Sequence, residues 1–120
     1  MIRVGVIGYG YWGPNLARNF SECDATEIVA VADQRESRLA EARRRHPGIR
    51  TTASADDLIH AADIDAVAIA TPVATHAALA LAALKAGKHV LVETPLAASV
   101  AEAEAVVAEA ERRGLTLLVD

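Results

Sequence analysis

A single cysteine, Cys23, stands among 120 residues, so no disulfide can close within the chain, and a reducing cytoplasm is the expected compartment. Its neighbours Glu22 and Asp24 oppose thiolate formation, so Cys23 reads as a small packed residue. Long apolar runs are absent as well. None approaches the ~20 residues needed to cross a bilayer, and Met1 leads directly into Ile2-Arg3-Val4, which leaves no space for a signal peptide. No membrane partner is expected. Basic excess is missing too: 12 lysines and arginines face 16 acidic residues, for a formal charge of -4. A protein that binds nucleic acid through its phosphates needs the opposite balance. The one dense basic run, Arg43-Arg44-Arg45, reads as the solvated last turn of a helix, whose carbonyl end favours cations. Lysine is scarce, with only Lys85 and Lys88.

With 52% hydrophobic residues, a chain of this length fills one domain, residues 1-120, with a real core. Short runs rich in valine and isoleucine alternate with alanine-rich segments of helical period, the pattern of successive strand-helix units in a parallel sheet. Strands are predicted at Ile2 to Ile7, Glu27 to Ala32, Ile49 to Thr52, Ala66 to Ala70, His89 to Val92 and Leu115 to Val119. Pro14 suits the opening of a first helix through Phe20, and Glu36 to His46 forms a second. Ser54 with Asp57 marks the start of a brief helix over Asp56 to Ala61. Thr75 is expected to cap a helix ending at Ala86 and Gly87. Ser99 and Glu102 form a capping box for a last helix to Arg113. Right-handed crossovers then give an α/β fold, a doubly wound parallel sheet of six strands in the order 3-2-1-4-5-6.

Gly8-Tyr9-Gly10-Tyr11-Trp12-Gly13 falls between the first strand and the first helix. A tight turn, close backbone approach to a ligand and close packing each require a missing side chain there. The helix start then offers free amides to phosphate oxygens. Asp33 lies 20 residues past Gly13, at the end of the second strand, where a carboxylate accepts hydrogen bonds from ribose hydroxyls. A carboxylate there repels a 2′-phosphate, which favours NAD over NADP. Gln34 and Arg35 follow at the same adenosine end. Arg35 can pair with a 2′-phosphate if turned inward, or it can simply be a surface residue opening a helix. Asp33 can also be read as a cap on that helix.

The loop and helix start Gly8-Tyr9-Gly10-Tyr11-Trp12-Gly13-Pro14-Asn15-Leu16, together with Ala70-Thr71-Pro72 followed by His76, and the run Ala86-Gly87-Lys88-His89-Val90-Leu91-Val92-Glu93-Thr94-Pro95-Leu96, resemble the Gfo/Idh/MocA oxidoreductases over the whole chain. The resemblance implies a Rossmann domain that binds NAD(P) through Gly8, Gly10, Tyr11, Trp12, Gly13, Asp33, Gln34 and Arg35. It places Thr71 and Pro72 against the cofactor, His76 nearby, and Glu93 and Thr94 by the nicotinamide half. His76 could equally be a plain first-turn residue, and Glu93 a solvated loop carboxylate. Family members act on sugars, cyclitols and nucleotide sugars, oxidising a ring hydroxyl with the help of a following α/β substrate domain.

Two departures from the pattern stand out. The family usually reads Glu-Lys-Pro where this chain has Glu93-Thr94-Pro95. A threonine hydroxyl has no cationic charge and no useful pKa, so it cannot replace that lysine as acid or base. Lys88, before the fifth strand, lies at the wrong end of the sheet to substitute. No catalytic residue and no metal ligand is therefore assigned. The chain also ends at Asp120, where relatives continue into the substrate domain, so negligible turnover is expected of these residues alone. The readings left open are a cofactor domain that meets sugar-like substrate only with a second domain, a free-standing dinucleotide-binding module, and an assembly module that forms a homo-oligomer through its last strand.

Overall fold

The computed structural model describes residues 1–120. In chain order it comprises β1 (Ile2–Ile7), α1 (Gly13–Glu22), β2 (Thr26–Ala32), α2 (Glu36–Arg45), β3 (Arg50–Thr52), α3 (Ala55–Ile59), β4 (Ala66–Ile69), a 3-10 turn (Val73–Thr75), α4 (His76–Lys85), β5 (His89–Val92), α5 (Val100–Arg113) and β6 (Leu117–Val119). The six strands form one sheet in the order β3-β2-β1-β4-β5-β6, and every pairing is parallel. The expected architecture is therefore the observed one.

Alternation along the strands explains why both faces are covered. Val4 and Val6 of β1, Val31 of β2 and Ala68 of β4 face a core completed by Leu16 and Ala17 of α1 and Leu39 and Ala42 of α2. Ala30, Ala32, Val67 and Ile69 face the other way, onto Leu58 and Ile59 of α3, Ala80 and Leu84 of α4, and Val106 and Ala110 of α5. Each fully buried leucine or isoleucine contributes about 1.5–3 kcal/mol. Gly5 sits where β1 would otherwise strike this second core, because a Cβ on it would come within 2.9 Å of Leu58.

Several local expectations need correction. Thr75 does not cap α4. Its hydroxyl donates to the Pro72 carbonyl at 2.6 Å, because a one-turn 3-10 segment precedes the helix and brings that carbonyl within reach. Ser54 does not cap α3 through its side chain. Thr52 takes over the local bonding, receiving the Ser54 amide at 3.2 Å and donating to Asp57. Cys23 is exposed, since it terminates α1 as the chain turns toward β2. The last strand is only Leu117–Val119, so the open edge is shorter than the pattern suggested, one of the ways proteins protect such edges. Ser99 does cap α5, accepting from the Glu102 amide at 3.2 Å, and Gly114 ends that helix at φ 65°.

Lys88 lies at the opposite end of the sheet from the carboxyl ends of the strands, as expected, and is nearly buried. Its ammonium donates to the Ala61 and Ile64 carbonyls, the latter at 2.6 Å, which provides the hydrogen bonds a buried charge requires. Tyr9 is the opposite case. Its ring is completely buried in the β1-α1-α2 core, and its hydroxyl meets no partner. An unmet buried hydroxyl costs about 1–3 kcal/mol. Tyr9→Phe is therefore expected to leave stability unchanged or raise it by about 1 kcal/mol, and a lower urea midpoint for the variant would contradict this.

Candidate functional site

The carboxyl ends of β1, β2, β3 and β4 converge on a groove of about 860 Å³. It is lined by Ile7, Gly8 and Gly10 at the end of β1, Ala32 to Arg35 at the end of β2, and Ala70 to Pro72 after β4. Strand order reverses between β1 and β4, so a crevice opens there and ligands of such sheets bind in it.

The glycine loop is shaped by contacts that no side chain could share. Gly8 has φ 95°, and a Cβ on it would lie 2.6 Å from the Ala70 carbonyl oxygen. A Cβ on Gly13 would lie 2.0 Å from the Gly8 carbonyl oxygen, so the loop closes on its own backbone. Gly8 and Gly10 both line the groove, but Gly10 differs in that the nearest atom to its missing Cβ is the Arg35 guanidinium at 3.1 Å. The first helical turn begins at Gly13 and Pro14, and no side chain occupies the cap. Pro14 has no N–H and the Leu16 amide donates to the Trp12 carbonyl at 3.1 Å, so the Gly13 and Asn15 amides are the donors open to a phosphate. Tyr11 and Trp12 stand exposed on the loop, packed edge to face with centroids 5.2 Å apart.

Asp33, at the exit of β2, is held from four directions. One carboxylate oxygen accepts from the Tyr9 amide at 2.9 Å and from Arg35 Nη2 at 3.1 Å. The other accepts from the Arg35 amide at 2.8 Å and Arg35 Nε at 3.1 Å. Burial by itself raises the carboxyl pKa, but the Arg35 and Tyr9 hydrogen bonds outweigh it and bring it below the ordinary aspartate value. The group is a carboxylate near neutrality, suited to accept hydrogen bonds from hydroxyls.

Of the residues singled out in the sequence, Gly8, Gly10, Tyr11, Asp33, Gln34, Arg35, Thr71 and Pro72 line the groove. Trp12, Gly13, His76, Glu93 and Thr94 lie outside its lining. His76 is fully buried. Its Nε2 is 2.8 Å from the Thr71 carbonyl and its Nδ1 2.7 Å from the Pro95 carbonyl, so the ring braces the loop after β4 against the loop after β5. Glu93 has its carboxyl pKa raised, first by burial and then by the neighbouring Asp120 charge, with His76 pulling partly the other way. Thr94 is exposed and its amide donates to the Asp120 carbonyl at 2.9 Å. Sequence reasoning missed the apolar wall formed by Ala53, Ala55, Ala74, Ala78 and Leu79. The rule that strand carboxyl ends line the crevice would have flagged Ala53, just beyond β3. Ala55 of α3, Ala74 of the 3-10 turn and Ala78 of α4 carry no distinguishing signal.

A doubly wound parallel sheet, a self-closed glycine loop at the reversal point and an acidic residue ending the second strand define a Rossmann-type nucleotide-binding domain. The chain belongs to the Gfo/Idh/MocA family, matching its description as "Oxidoreductase family, NAD-binding Rossmann fold" over residues 2–120. It is 33% identical to 4-carboxy-2-hydroxymuconate-6-semialdehyde dehydrogenase of Sphingobium sp., over 98% of this chain and 38% of that protein. Inositol 2-dehydrogenase 1 of Saccharopolyspora erythraea is 40% identical over 98% of this chain and 35% of its own length. Among solved structures, biliverdin reductase of Synechocystis, in complex with biliverdin and NADP+, superposes with a TM-score of 0.94 at 35% identity, covering 99% of this chain and 37% of that one. The chain thus spans little more than a third of the relatives it matches. It is an NAD(P)-binding domain of an oxidoreductase family.

Proposed function

We propose that this domain holds NAD(H) in preference to NADP(H) and presents its nicotinamide for hydride exchange with a sugar-like hydroxyl carbon, the substrate being held by a second domain. The observation that carries the reading is the Asp33 carboxylate, charged and aimed at the groove beside Gly10. The adenosine ribose belongs there, with the pyrophosphate on the loop Gly8, Gly10, Tyr11, Trp12 and Gly13, and with Gln34 and Arg35 flanking the adenosine. Thr71 and Pro72 border the path toward the nicotinamide, and Glu93 and Thr94 lie past its far end. His76 acts from behind, by fixing the loops. The bound dinucleotide supplies the hydride chemistry, while these residues bind and orient it.

A second reading, a dinucleotide-binding module without catalysis, is favoured by Thr94. Its hydroxyl stands where the family pattern has lysine, and it offers neither charge nor a usable proton near neutrality. One experiment addresses both. Trp12 is the only tryptophan and adjoins the phosphate loop, so its emission reports a bound dihydronicotinamide by energy transfer. Titration with NADH is expected to quench Trp12 at lower ligand concentration than titration with NADPH. Quenching by neither removes the dinucleotide reading, and a tighter NADPH curve removes the stated preference. Binding without turnover of inositol or a nucleotide sugar is the result expected for residues 1–120, since no second wall here excludes water or positions a substrate.

A further inference from the structure

We propose that Arg35 is an internal competitor for the ribose place on Asp33, so that dinucleotide entry has to displace it. This inference rests on the reading of the groove as a dinucleotide site. An ionised carboxylate offers about four acceptor positions, and at Asp33 all four are taken, two of them by the Arg35 guanidinium and one by the Arg35 amide. The side chain of Asp33 is only 7% exposed beneath it. A ribose hydroxyl can reach neither oxygen without breaking the guanidinium fork. The same guanidinium lies over Gly10, 3.1 Å from where a Cβ would be. It therefore covers the junction of the carboxylate with the phosphate loop, at one end of the groove.

The displaced group is built to move. Arg35 is 57% exposed at its side chain and precedes α2 without capping it. The Tyr9 and Arg35 amides keep Asp33 in place when the guanidinium leaves. The pair also softens the choice of dinucleotide. An unshielded carboxylate repels a 2′-phosphate, but Arg35 on Asp33 cancels that charge and can swing onto the phosphate with the two-pronged geometry arginine favours. Arg35 accordingly weakens NADH and rescues NADPH, and the selectivity set by Asp33 is lower than its charge alone would give.

The test is Trp12-monitored titration of the wild-type chain, Arg35→Ala and Arg35→Lys with NADH and with NADPH. Arg35→Ala is expected to bind NADH about twofold to fivefold more tightly, because the ion pair between the exposed Arg35 and Asp33 no longer has to open. It should bind NADPH about tenfold more weakly, having lost the phosphate partner. Arg35→Lys keeps the charge without the fork, so it should gain on NADH while holding NADPH within about threefold of wild type. A merely structural arginine would shift both ligands in the same direction. Unchanged or weaker NADH binding by a folded Arg35→Ala overturns the competition and leaves the dinucleotide reading intact. If the alanine variant does not fold, an Arg35→Lys without any gain on NADH overturns it equally. A wild-type chain that binds neither ligand removes both.

Discussion

Gly13→Ala is expected to abolish measurable NADH binding and to destabilise the fold by about 2–4 kcal/mol. The added carbon would be 2.0 Å from the Gly8 carbonyl oxygen and 2.9 Å from its carbon. Both are backbone atoms, which cannot rotate away as a side-chain tip can. Gly8 is itself pinned, its amide donating to the Ala32 carbonyl at 2.8 Å and its position bounded by Ala70. The clash must therefore open the loop and tilt the first turn of α1. An affinity loss of at least about 100-fold corresponds to some 2.7 kcal/mol, well within what misdirected amides would forfeit. Gly10→Ala provides the contrast. Its methyl meets only the mobile tip of Arg35 at 3.1 Å, so stability should stay near wild type while a group now standing in the groove impairs binding. Calorimetry and titration on both variants check the pair. A Gly13→Ala protein as stable as Gly10→Ala would show that the loop relaxes more easily than its backbone contacts imply.

The other large effect is expected at His76. Its ring is buried to 1% exposure and spans two carbonyls, Thr71 at 2.8 Å and Pro95 at 2.7 Å. Both are acceptors, so the neutral ring satisfies one at a time and the imidazolium both. His76→Ala leaves a cavity and two carbonyls without that donor, and should cost about 3 kcal/mol. Because the loop after β4 lines the groove and His76 ties it to the loop after β5, NADH affinity should also fall, by about tenfold. The expectation fails if thermal unfolding of His76→Ala matches that of the parent. His76→Gln, which can restore one of the two bonds, should lie between them.

These two residues illustrate what could be read in the sequence and what could not. Strand positions were legible because a strand buried on both faces must be apolar throughout, as in Ala66–Ile69, and their order follows from the handedness of crossovers. The role of Gly13 was legible as a type of residue at a spacing, but the contact it avoids is with Gly8, inside the loop, and not with a packed helix. His76 was expected beside the cofactor, and the structure instead buries it outside the groove lining, where it braces two loops. Its second partner, Pro95, lies 19 residues away, and nothing in local pattern pairs them. Thr75 and Ser54 were misread as caps for a related reason. A cap motif names a possible bond, and a competing acceptor or donor two or three residues off, the Pro72 carbonyl or the Thr52 hydroxyl, took it instead. Ala78 of α4 was invisible as part of the groove wall because alanine at helical spacing looks the same facing a groove or a core.

Uniform strand direction has a practical consequence for anyone handling the protein. With every pair parallel, Met1 precedes the entry of β1 on the rim far from the glycine loop, while Asp120 is stitched to Val92 and Thr94 on the rim that carries it. A tag, dye or sensor surface attached ahead of Met1 leaves the ligand's approach open. The same attachment to residues 1–120 after Asp120 leaves on the rim that carries the groove, two strands along from β4, where it is better placed to report on what enters.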